Sequence, residues 1–155
     1  MCGWIRVSNS IKATADTPTH TVAAPLVERL VATLQARVPG LLAVYGFGSR
    51  VQGTAGQGSD LDMAVLVAGY ADALLLWQLA GELADRAGCT VDLLDLRAAS
   101  TVMQYQVITQ GVRWWARDAQ ASLYESTILS EKTALDAARA GLLADIRETG
   151  TVYGR

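Results

Sequence analysis

The chain has 155 residues, 51% of them hydrophobic and 18% charged, with a formal net charge of −2. That length suits one domain with a real core, and the composition is globular rather than disordered. Mild net acidity gives no general attraction to nucleic acid, and Asp, Glu or Gly breaks every apolar run well short of a membrane-spanning length.

Residues 1–22 read as a flexible N-terminal arm. The stretch is rich in Ser, Thr, Asn and Ala and lacks the apolar core of a signal peptide. The single histidine, His20, falls here as a solvated residue, which excludes Ser-His-Asp and Cys-His catalysis and His-based zinc sites. Cys2 and Cys89 provide no disulfide framework, so reduced thiols and a cytoplasmic location are expected.

From Pro25 onward, helix and strand patterns alternate. Leu26, Leu30, Val31, Leu34 and Val38 recur at helical spacing behind Pro25, and Pro39-Gly40 ends that helix. A strand over 41–47 follows. A second strand carries Asp60 and Asp62 into Met63-Ala64-Val65-Leu66-Val67. Leu76, Leu79, Ala80, Leu83 and Ala87 mark another helix, closed by Gly88 as a left-handed cap. A strand over 90–96 and a short helix from about Ser100 to Gln110 come next. The last helix spans about Asp118 to Glu148, with Tyr124, Ile128, Leu135, Ala138, Leu142 and Ile146 on one face. At the standard rise its length is roughly 45 Å, longer than a domain this size needs, which favours a subunit interface over mere packing on its own sheet. Trp114-Trp115 adjoins this helix, either as an extension of that apolar surface or as core. The alternation implies an α/β or α+β sheet covered by helices.

The chemistry concentrates in Gly48-Ser49-Arg50, a glycine-rich turn through Gly53, Gly56 and Gly58, and then Asp60-Leu61-Asp62. On a strand, the two-residue period turns both aspartates to one face. Adjacent acids ionise together only when a positive charge compensates, and a hard cation takes one or two carboxylates plus substrate phosphates. The turn upstream offers backbone N–H groups to phosphate oxygens. Other phosphate and metal motifs fail. Thr54-Ala55 follows Gly53 where a P-loop needs Lys-Ser or Lys-Thr, the Gly46, Gly48, Gly53 spacing is wrong for a dinucleotide fingerprint, and no EF-hand ligand series follows Asp60. The plainer alternative is a surface turn with two solvated aspartates. A further β-rich run, Cys89 to Leu96, offers Asp92 and Asp95, which are three apart and so face opposite sides of a strand. Only one of them can join the site.

Gly48-Ser49, ten residues and then Asp60-x-Asp62 resembles the signature of the DNA polymerase β-like nucleotidyltransferases. The chain is most similar to the minimal nucleotidyltransferase (MNT) domains, over roughly residues 25–115. The resemblance implies a small mixed sheet with helices on one side, a nucleotidyltransferase domain over 23–117, and a C-terminal helix and tail over 118–155. It implies that Gly48 and Ser49 hold the triphosphate of ATP, with Arg50 either touching it or packing at a helix start. It further implies that Asp60 and Asp62 bind two Mg²⁺ ions. The family pattern assigns the third carboxylate to Asp92, leaving Asp95 as a strand-end or capping residue.

The wider pattern resembles the MntA-type antitoxins of HEPN/MNT toxin–antitoxin pairs. That resemblance implies transfer of AMP onto a tyrosine hydroxyl of a HEPN ribonuclease partner, within a hetero-oligomer and without nucleic acid or membrane contact. Two alternatives stand beside it: a nucleotidyltransferase for a small molecule of the aminoglycoside type, and an antitoxin that acts by binding alone.

Overall fold

A computed structural model of the chain describes residues 22–56 and 58–150. The expected arm and His20 lie outside these residues, except for Val22, which is buried in the core. The elements run α1 (Ala24–Arg37), β1 (Leu41–Phe47), α2 (Ser49–Gln52), β2 (Leu61–Val67), α3 (Ala73–Ala87), β3 (Val91–Asp95), α4 (Thr101–Gln110), β4 (Val112–Ala116) and α5 (Gln120–Thr149). Local chemistry sets their ends. Pro25 sits in the first turn of α1. The Asp72 carboxylate accepts from the Leu74 and Leu75 N–H groups at the start of α3, and Gly88 closes that helix in the left-handed region. Ser100 caps α4 by accepting from the Met103 N–H.

The four strands form one mixed sheet in the order β3-β2-β1-β4. β1 is antiparallel to both β2 and β4, whereas β2 and β3 run parallel, joined by the α3 crossover. β4 has no counterpart in the sequence reading: it contains Trp114 and Trp115 and forms an edge of the sheet.

Helices cover both faces of this sheet, not one. Val44, Met63, Val65 and Val67 pack with Leu30, Leu34, Leu79 and Leu83 from α1 and α3. The alternate residues Ala43, Tyr45, Ala64 and Leu66 pack with Val107 of α4 and Ala121 of α5. The cause is visible in the strands themselves. β1 and β2 are near-continuous apolar runs, so each side of each strand needs cover. The buried Tyr45 hydroxyl donates to Glu125 at 2.7 Å, and Arg113 reaches the same carboxylate at 3.0 Å, pinning α5 to the sheet. Past Ile128 that cover ends, and Leu135, Leu142 and Leu143 are exposed.

No helix among the described residues is long and apolar enough to cross a membrane. Cys89 is partly buried against the α1–α3 core.

Candidate active site

The site lies at the end of the sheet where β1 finishes and β2 and β3 begin. β1 delivers the chain to Gly48 (φ +77°), a left-handed position that suits only glycine, and Ser49 then opens α2. Gly48 also has no room for a side chain, because a Cβ there would fall 2.1 Å from Asp62 Oδ2. The glycine therefore brings the Gly48-Ser49 turn directly against the Asp62 carboxylate. The turn itself is tight: the Gln52 N–H donates to the Gly48 carbonyl at 3.0 Å and the Thr54 N–H to the Ser49 carbonyl at 2.9 Å.

Asp62 pairs with Phe47 across the β1–β2 ladder and with Asp92 across the β2–β3 ladder. Asp62 alternates with Met63 and so shares the face of Ala64 and Leu66, and Asp92 shares the face of Leu94. The two carboxylates therefore stand side by side on the α4–α5 face. Asp60 precedes the first residue of β2 and is exposed. Asp95 goes elsewhere. It is buried at the far end of β3, where its carboxylate accepts from the Ala71 N–H at 2.8 Å and the Arg97 N–H at 3.0 Å. Of the two acids that the spacing left open, Asp92 is the one the register sets beside Asp62.

Burial holds the Asp62 carboxyl above the usual carboxylate range, and the neighbouring charges of Asp92 and then Asp60 push it further. A cluster of this kind favours a cation or a proton. The donors are all carboxylate oxygens, which suits a hard divalent ion. Among the described residues no three Asp, Glu, His or Cys side chains close into a metal-holding group by themselves. Such an ion would therefore draw further ligands from phosphate and water, as Mg²⁺ commonly does.

Arg50, expected at the triphosphate or at a helix start, is buried in α2, and its Nε donates to the Ser59 carbonyl. Sequence reasoning missed that link, since a backbone acceptor leaves no residue signature. Of the two readings left open for Trp114-Trp115, the pair packs in part against the α1–α3 core, and the Trp114 ring lies over Gly46 so closely that a Cβ on Gly46 would come within 2.1 Å of it. The strand that seats the pair went unassigned although Val112-Arg113-Trp114-Trp115 is a β-rich run directly after Gly111.

Residues 28–120 match the family model described as polymerase beta, nucleotidyltransferase. The chain belongs to this nucleotidyltransferase family. Among its relatives is protein adenylyltransferase MntA of Shewanella oneidensis, 38% identical over 118 residues, which span 76% of this chain and 85% of that one. A solved toxin–antitoxin structure with AMP-PNP superposes with a TM-score of 0.69 at 37% identity, covering 78% of this chain and 98% of its own. A tri-AMPylated Shewanella oneidensis HEPN toxin in complex with its MNT antitoxin matches at 33% identity and a TM-score of 0.63, covering 79% and 97%. All four strands of the mixed sheet lie within the residues that the family model matches.

Proposed function

We propose that this nucleotidyltransferase is an antitoxin that transfers AMP from ATP onto a hydroxyl, a tyrosine in the resembling group, of a HEPN toxin and so silences it in the cytoplasm. The observation that carries the reading is the register pair Asp62–Asp92 set against the Gly48-Ser49 turn. This arrangement sits in a chain 38% identical to a protein adenylyltransferase.

In the transfer, the acceptor oxygen attacks the α-phosphorus of ATP. A new P–O bond forms, the bond to the bridging α–β oxygen breaks, and pyrophosphate leaves. Gly48 and Ser49 hold the β- and γ-phosphates through backbone N–H groups and the Ser49 hydroxyl. Asp60 and Asp62 would hold Mg²⁺, with two ions as the family resemblance implies, and bound there Mg²⁺ would neutralise phosphate charge and support an in-line displacement. Asp92, in register beside Asp62, would complete the metal site as its third carboxylate and accept the proton of the incoming hydroxyl. The apolar part of α5 beyond Ile128 is the surface we assign to the toxin.

The test is transfer of label from α-³²P-ATP with Mg²⁺ to the co-purified toxin, comparing the native chain with an Asp60→Asn, Asp62→Asn double variant. Label on the toxin that vanishes in the variant is the expected result. An unlabelled toxin that the native chain still neutralises would overturn the reading in favour of inhibition by binding alone.

A further inference from the structure

Asp60 stands in an unusual place for a ligand-holding carboxylate. It is outside the sheet, at the end of a loop running from Gly53. That loop is rich in glycine, and a Cβ added at Gly56 or Gly58 would meet nothing within 4 Å. Glycines in open space leave the backbone many conformations, which is poor support for a group that must be positioned closely. Two contacts bracket Asp60. On its C-terminal side the Leu61 N–H donates to the Thr90 carbonyl at 2.9 Å. On its N-terminal side the Ser59 carbonyl accepts from Arg50 Nε. Arg50 is 6% exposed, although Gln52, Gly53 and Thr54 just after it are exposed. Burying a guanidinium is costly unless acceptors hold it, so this burial indicates a structural engagement.

We propose that Arg50 is a positioning residue that ties the end of the 53–60 loop to α2 and thereby fixes Asp60 relative to Ser49. Turn and carboxylate then move as one body, so triphosphate and metal sites keep their separation before any ligand arrives. The activity readout below rests on the adenylyl-transfer reading; the loop readout does not.

Two substitutions separate this role from a charge contact with the triphosphate. In Arg50→Gln the side-chain amide nitrogen occupies the same place along the chain as Arg Nε, so the bond to Ser59 survives while the charge is lost. In Arg50→Lys the charge survives, but a carbon replaces the donor. Amide hydrogen exchange of residues 53–60 in the ligand-free chain is measured first, then Mn²⁺ affinity, ATP affinity in EDTA, and toxin labelling. For the tether, Arg50→Gln keeps loop exchange at the wild-type rate and labelling within about threefold of wild type. Arg50→Lys speeds exchange in the loop alone and loses about tenfold or more in Mn²⁺ affinity and labelling, with ATP affinity in EDTA unchanged. The reverse order, with Lys near wild type and Gln weak in ATP affinity, overturns the proposal. Faster exchange across the whole chain in both variants also overturns it, since Arg50 would then serve the core and not the loop. If the wild-type chain fails to label the toxin, the functional reading falls, and loop exchange still decides the tether.

Discussion

The consequences of this geometry are sharpest at single residues. Asp62 carries a raised pKa, so between the unfolded and folded values the folded chain holds a proton that the unfolded chain has lost. Stability therefore falls as pH rises through that window, because ionised Asp62 strains against burial, Asp92 and Asp60. Asp62→Asn should unfold at higher urea than wild type at neutral pH, with the gap closing in acid; equal midpoints at neutral pH would contradict this. With Mg²⁺ the same shift works against function, and the apparent Mg²⁺ requirement should rise as pH falls toward the raised value. Gly48→Ala faces both a left-handed backbone and the Asp62 carboxylate, and should cost about 100-fold or more in transfer. Transfer kinetics on a variant shown to be folded by circular dichroism would check it. The sequence made the Asp-x-Asp pair and the Gly-Ser turn legible because side-chain types and spacing encode them. It could not show the Arg50–Ser59 link, where half of the bond is backbone.

Among the elements, α5 has two different halves. Its first turns are fastened by Glu125, by Ala121 and by Ile128, which is 4% exposed. Beyond them it carries Leu142 and Leu143 at 53% and 56% exposure. Lys132 and Asp136, an i, i+4 pair at 2.6 Å, support the helix locally, though such pairs contribute only about 0.3–0.5 kcal/mol. A Leu142→Glu, Leu143→Glu variant should keep its own unfolding free energy within about 0.5 kcal/mol of wild type. Its affinity for the toxin should fall by roughly tenfold or more, read by calorimetry. Unchanged affinity would move the toxin interface off α5. The helix was legible from its period. The strand β4 carried a β-rich run but went unassigned, because its five residues sit between two helices and Trp114-Trp115 reads equally as core or as surface.

Across the whole molecule, the two core clusters share the same strands, so neither can melt while the other stands. Leu34→Ala removes a fully buried side chain from the α1–α3 face and should cost about 2–5 kcal/mol. Val107→Ala on the other face should shift the same single transition by a smaller amount. Urea unfolding followed by tryptophan fluorescence and by far-ultraviolet circular dichroism should give coincident curves for each variant; separated curves would mean the faces unfold independently. The unbroken apolar runs in β1 and β2 already contained this two-sided cover, which an expectation drawn from family resemblance hid.

The pairing of Asp62 with Asp92 also governs which changes of length the chain can absorb. Strand side chains alternate, so a one-residue slip of β3 along β2 would set Val91 or Leu93 opposite Asp62 and turn Asp92 to the other face. A change of length that shifts the Asp62–Asp92 rung of this ladder therefore removes a carboxylate from the site without changing any amino acid there. An insertion at the exposed turn around Gly69 and Tyr70 lengthens only the crossover and leaves the ladder in register. Over many generations the crossover loop is free to vary in length, while the spacing from Asp62 along its ladder to Asp92 has no such freedom.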